Sequence, residues 1–149
     1  VIADLLRQYP GQVTLVCCGP LTNVARAFSR DPGLMEIVDK VVISGGTYVH
    51  SGNVTPAAES NMHFDPMSAR EVFQSATTKS LVPLDVTEKV TFGVDLLESI
   101  PKKYTRAGDL LHRLLPFAFR AAHERLGREA ITLYDPTALL AVLEPALFQ

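Results

Sequence analysis

Two carboxamides and one carboxylate stand within nine residues of each other: Asn53, Glu59 and Asn61, in the run SGGTYVHSGNVTPAAESNMHFDP that occupies residues 44–66. Amides and carboxylates donate to or accept from hydroxyl groups, so a cluster of this kind can read vicinal hydroxyls. The chemistry it suggests is a polyol pocket, a ribose above all. A second reading stands beside the first, because Asn, Ser, Thr, Gly and Pro also fill ordinary loops, where they form turns and cap helices. Asp135 is similarly open: directly before Pro136 it suits a helix N-cap as well as a ligand. His50 and His63 lie in the same loop region, while His123 sits on a charged helical stretch that reads as solvated surface. No HExxH, CxxC pair or close His cluster suggests zinc, and neither a GxSxG elbow nor a GxxxxGK[ST] loop is present.

The elements that must position these groups follow from periodicity. Residues 13–18 form a β-branched and apolar run of the kind buried on both faces of a sheet, ended by Gly19-Pro20. Leu21, Val24, Ala25 and Phe28 recur at helical spacing over 21–29, and Asp31-Pro32-Gly33 breaks that pattern. A second strand is predicted over 38–43, leading into Gly45-Gly46. Asp65 and Pro66 read as N-cap and first residue of a helix to about Ser75, and a third strand covers 79–84. Strands alternating with helices predict an α/β fold, a mostly parallel sheet flanked by helices. After Asp85 the chain turns helical, over 94–100, 105–126 and 136–143, with Pro116 expected to kink or split the middle helix. This helical half is expected to pack on the sheet, making residues 1–149 a single domain.

A net charge of −2 and no run of like charges leave no basic surface for nucleic acid. No apolar stretch approaches the roughly 20 residues needed to cross a bilayer, and none of these residues reads as a signal-like n-region, h-region and cleavage site. Neighbouring Cys17 and Cys18 point to opposite faces of a strand, so the expectation is two buried, reduced thiols and a cytoplasmic compartment.

The loop run resembles the inosine-uridine nucleoside hydrolases, whose ribose loop has the form GGxxxxxGNxTPxAExNxxxDPxAAxxVF. The matching pieces are Gly45-Gly46, Gly52-Asn53, Thr55-Pro56, Ala58-Glu59, Asn61, Asp65-Pro66 and Val72-Phe73. VTLVCCGPLTNVARAF upstream, and VPLDVTEKV and DPTALLAVLEPALF downstream, are similar to further landmarks of the family in the same order. The resemblance implies a nucleoside-hydrolase-like α/β fold with a Rossmann-like core, and calcium-assisted cleavage of the N-glycosidic bond of ribonucleosides to ribose and free base. It implies ribose contacts at Asn53, Glu59 and Asn61. It also implies a Ca²⁺ ligand set that includes the Asp135 carboxylate and the main-chain carbonyl at or near Cys18.

The sequence departs from the family pattern at several points. The N-terminal DxDxGxDD cluster, which implies the other calcium carboxylates and the general base, is not in this chain, so the expectation is a partial hydrolase domain, inactive and weakly calcium-binding alone. Tyr134 stands where many members have a His that protonates the leaving base, and Ser44 and Ser60 replace a hydrophobic and an aromatic residue. Tyr134 is weighed as a catalytic hydrogen-bond donor or as an aromatic packing at a strand end. His123 and nearby Arg125 lie where the family places leaving-group contacts. The implied partners are a small-molecule nucleoside and further copies of the chain, as a homodimer or homotetramer. The alternative reading is a non-catalytic riboside-binding module or a truncated remnant.

Overall fold

The computed structural model describes residues 1–101 and 105–148. In chain order the elements are α1 (Ile2–Gln8), β1 (Thr14–Cys17), α2 (Thr22–Arg30), α3 (Leu34–Ile37), β2 (Lys40–Ser44), α4 (Ser60–Phe64), α5 (Pro66–Gln74), β3 (Lys79–Val82) and α6 (Leu84–Thr87). There follow β4 (Thr91–Phe92), α7 (Leu96–Ser99), α8 (Arg106–Leu126), β5 (Ile131–Thr132), α9 (Tyr134–Leu143) and a closing 3₁₀ turn, Pro145–Phe148. They divide into two compact units, residues 1–86 with 134–149, and residues 87–133.

The first unit is built on a parallel sheet in the order β1-β2-β3, with Val16 opposite Val42 and Val42 opposite Ser80. Successive strand side chains point to opposite faces, and β2 uses both. Val41 and Ile43 join Leu6, Leu21, Phe28, Leu34 and Val72 in a core under the helices of one face. Val42 packs with Val82 and with Ala138 of α9 on the other. This is the parallel sheet with helices on both faces that the strand and helix alternation predicts. β1 departs from expectation: its residues are half-buried, not buried, because among the described residues it pairs on one side only. Cys17 is accordingly half-buried, and Cys18 lies just past the last paired residue and is exposed.

Asp65 caps α5 as expected, its carboxylate accepting the Ser68 N–H at 3.0 Å, with Pro66 at the first helical position. Thr22 donates its hydroxyl to the same carboxylate at 2.5 Å, which ties the start of α2 to the start of α5. These hydrogen bonds, the Thr22 hydroxyl foremost, hold the Asp65 carboxyl below the usual carboxylate range.

In the second unit, β4 and β5 form an antiparallel pair in which Phe92 faces Ile131. Thr105 caps α8 by accepting the Gly108 N–H, and Gly127 in the left-handed conformation ends it. Pro116 does not split this 21-residue helix. A proline removes one backbone hydrogen bond, and the turns on either side carry the helix through. The segment after Val94 yields only the short α7, four residues long.

Candidate functional site at the ends of β1 and β2

Open α/β sheets bind ligands outside the carboxyl ends of their strands, and the predicted polar residues of the first unit gather at that edge. β2 ends at Ser44, which is 3% exposed. The next two residues, Gly45 and Gly46, have φ of 147° and 73°, a backbone that only glycine adopts without strain. A Cβ on Gly45 would also lie 2.8 Å from the Glu59 carboxylate, so the pair of glycines lets that side chain come up against the strand end.

Glu59 is 4% exposed and has its acceptor capacity filled. Its Oε1 accepts from Ser60 Oγ at 2.8 Å and Asn61 N at 2.9 Å, and its Oε2 from Gly46 N at 2.9 Å and Met62 N at 3.2 Å. It therefore caps α4 and pins the glycine turn with one group. Asn61 donates from Nδ2 to the Ser44 carbonyl at 2.9 Å, and Asn53 accepts the Ser60 N–H on Oδ1 at 2.9 Å. Among the described residues each amide keeps hydrogen-bonding capacity beyond that contact: Asn53 its whole NH₂, Asn61 one N–H and its oxygen. Between Asn53 and Glu59 the chain folds back on itself, Val54 N donating to Ala58 O at 3.2 Å and Gly52 N to Pro56 O at 3.1 Å.

Asp135 lies in the first turn of α9, where the helix already begins at Tyr134, so it is not the residue before the helix. The Ser44 hydroxyl donates to its Oδ1 at 3.3 Å, which joins α9 to the end of β2. Asp135 is exposed and, among the described residues, accepts from that donor alone, leaving most of its lone pairs open. Its charge reaches Cys18: burial first, then Asp135, raises the Cys18 thiol. Cys17 is pushed up to about 11, by burial and then by Cys18. Tyr134 is half-buried beside Asp135 in sequence.

The structure thus brings Asn53, Glu59, Asn61, Asp135 and Cys18 to one edge of one sheet. His123 belongs to the second unit, where its Nδ1 faces Glu129 at 3.2 Å with both side chains largely exposed. His50 and His63 are exposed, and the His50 ring contacts the Ser51 carbonyl. A cavity of about 550 Å³ opens beside α4, lined by Pro20, Thr22, Asn23, Ser60, Asn61 and Phe64, a size suited to a small ligand. Asn61 and Ser60 line it, whereas Asn53 and Glu59 hold backbone N–H groups.

The donors suited to a cation are oxygens, the Asp135 carboxylate and main-chain carbonyls, which is the ligand type of calcium or magnesium and not of zinc. No three His, Cys, Asp or Glu side chains gather to hold a metal among the described residues. One open carboxylate is well short of the about six to eight oxygens calcium takes, so these residues fit part of a calcium shell and not a whole one.

Sequence reading missed Asp85. Its Oδ1 accepts the Val49 and His50 N–H groups, both at 2.8 Å, and its Oδ2 accepts Tyr48 N at 2.7 Å and the Thr47 hydroxyl at 3.3 Å. These backbone donors, that of Tyr48 foremost, hold its carboxyl far below the usual range. The signal was available in the strand order: β2 and β3 are parallel neighbours, so the residues that follow each emerge side by side.

Comparison with known proteins bears on the whole chain. It is 40% identical over 149 residues to a rice protein named probable uridine nucleosidase 1, covering 99% of this chain and 45% of that one. It is 31% identical over 144 residues to the pyrimidine-specific ribonucleoside hydrolase RihB of Escherichia coli, covering 97% of this chain and 46% of that one. Among solved structures, a plant nucleoside hydrolase, PpNRh1, superposes with a TM-score of 0.91 at 32% identity, over 98% of this chain and 46% of that one. The chain spans a little under half the length of these proteins. Residues 1–149 match the model of a single protein family throughout, and on that ground, with the fold in agreement, the chain belongs to the inosine-uridine preferring nucleoside hydrolases.

Proposed function

We propose that this chain forms the sugar-holding edge of an N-ribohydrolase that splits ribonucleosides into ribose and free base. The observation that carries the reading is the convergence, on one strand-end corner, of two amides with free hydrogen-bonding capacity and one open carboxylate. Asn53 would donate from its NH₂ to a sugar hydroxyl, and Asn61 would offer one N–H and its oxygen to another. Glu59 keeps both amides in place through Ser60 and Asn61, so the sugar is met by groups that need not reorganise, which favours reaction from the bound geometry. Asp135 and the main-chain carbonyl at Cys18 would supply two of the ligands of a calcium ion. Bound calcium would hold ribose hydroxyls and make a coordinated water more acidic. Tyr134 would donate a hydrogen bond to the departing base. As a residue type, tyrosine is a weaker acid than the histidine that many family members carry there. His123 is a further candidate contact to the base.

The site's partner is a small nucleoside, uridine being the first to test because relatives carry uridine in their names. Free thiols at Cys17 and Cys18 support a reducing, cytoplasmic setting. Assembly as a homodimer or homotetramer is part of the same family-based proposal. A second reading, a riboside-binding module without catalysis, is favoured by one observation: Glu59 and Asp85 are both engaged by protein donors, which leaves Asp135 as the open carboxylate of this corner.

The test is release of free ribose from uridine and inosine, by the 149-residue chain and by the protein at the length of its relatives. The short chain is expected to give none with calcium present. The longer protein is expected to be active and to lose at least tenfold on Asp135→Asn without unfolding. A folded longer protein that binds ribosides but releases no ribose establishes the binding module instead, and turnover by the short chain refutes this assignment of roles.

A further inference from the structure

Residues 47–50 read Thr-Tyr-Val-His, with none of the Gly, Pro, Asn or Asp that make a turn close on itself. Yet the N–H groups of Tyr48, Val49 and His50 point together onto one carboxylate, that of Asp85, at 2.7 to 2.8 Å. Successive N–H groups that converge in this way form an anion nest, and here the protein supplies the anion itself. Asp85 is seated for this because β3 runs parallel to β2 and its exit is tied back to the glycine turn, Leu84 N donating to Gly46 O at 3.0 Å. The Thr47 hydroxyl, with one proton to give, is shared between Asp85 and the nearer His50 carbonyl, which closes the turn. Glu59 holds Gly46 N just upstream, so two carboxylates secure the backbone N–H groups of Gly46, Tyr48, Val49 and His50. The tip they leave outside is apolar: Tyr48 is 90% and Val49 83% exposed.

We infer that Asp85 is a positioning residue. It fixes the backbone of residues 47–50, and thereby the approach of the chain to Asn53, without touching substrate. This rests on the reading of Asn53 as a sugar contact. A charge-assisted bond is about twice as strong as a neutral one, and three on one group set the turn more firmly than the local sequence can.

The test uses Asp85→Ala and Asp85→Asn in the protein at the length of its relatives, with Asp85→Glu as the conservative variant. Amide hydrogen exchange is read at Tyr48, Val49 and His50, with Val42 and Ile43 of β2 as internal controls. Exchange at the three loop amides is expected to accelerate at least tenfold in the Ala and Asn variants while the β2 amides hold. KM for uridine is expected to rise at least fivefold with kcat changed less than twofold. Asp85→Glu is expected to recover part of both. If Asp85→Ala does not fold, Asp85→Asn carries the comparison, since it keeps one acceptor oxygen. Unchanged loop exchange overturns the anchor. Faster exchange with unchanged KM overturns the positioning role. If the unsubstituted protein hydrolyses no nucleoside, the enzymatic reading fails, the positioning role fails with it, and the exchange data still decide the anchor.

Discussion

Glu59→Gln separates a loop anchor from a ligand contact, because the substitution keeps the shape of the side chain and exchanges one acceptor oxygen for a donor NH₂. The four donors divide between the two oxygens: Ser60 Oγ and Asn61 N on one, Gly46 N and Met62 N on the other. With the NH₂ on the second side two backbone N–H groups lose their partner, so the amide will turn the other way, where the Ser60 hydroxyl can rotate to accept. Asn61 N is then orphaned and the remaining bonds lose their charge. A hydrogen bond to a charged group contributes about 1.5–3 kcal/mol and an orphaned buried donor costs about 1–3 kcal/mol. Burying a neutral amide is easier than burying a carboxylate, which offsets part of this. The expected net loss is about 2–4 kcal/mol, a large share of a stability of about 5–15 kcal/mol. Urea denaturation followed by circular dichroism measures it, with the slope checked so that only a shift in midpoint is scored. A side chain serving as sugar contact alone would change stability by no more than about 0.5 kcal/mol while weakening ligand. An unchanged midpoint in Glu59→Gln would therefore refute the anchor role.

Two further outcomes follow from the titratable groups. With Cys18 exposed and Cys17 half-buried and raised to about 11, iodoacetamide at pH 8 should label Cys18 well before Cys17 in the native protein, as read by mass spectrometry of the digested chain. Equal labelling without denaturant would contradict the placement of β1. Asp85 and Asp65 have lowered folded-state pKa values, so each contributes stability that is fully present above the unfolded value of about 3.9 and is lost as pH falls towards the folded value. The carboxyl carbon chemical shift of Asp85 should then stay constant from pH 7 to about 4. A titration of that carbon inside the window would show that the carboxylate is not held as the hydrogen bonds imply.

Much of the fold is legible because it depends on local chemistry. The Val41-Val42-Ile43 run announces a strand, Gly45-Gly46 its exit into the loop, and Asp65-Pro66 a helix start, and each is found where the sequence puts it. The misses concern surroundings. Residues 13–18 have the composition of a buried strand, but burial depends on which neighbours pair, and β1 pairs on one side among the described residues. Cys18 is adjacent to Cys17 in sequence and differs from it in exposure because pairing with β2 ends between them.

The candidate site shows the same division more sharply. Residue type marked Asn53, Glu59, Asn61 and Asp135 as polar groups worth attention, but type alone treats every carboxylate as equally available. What separates them is the number of lone pairs already taken. Glu59 accepts four hydrogen bonds from the protein and Asp85 three from successive backbone N–H groups, which makes them holders of backbone. Asp135 accepts one, from Ser44 at 3.3 Å, and so keeps capacity for a ligand. Ser44 reaches both sides of this division, its carbonyl accepting from Asn61 and its hydroxyl donating to Asp135. A hydrophobic residue at that position could keep the first contact, which uses the backbone, but not the second. The Asn61 amide and the open Asp135 carboxylate are therefore joined through Ser44, and the join is visible only once β2 and α9 are seen to meet.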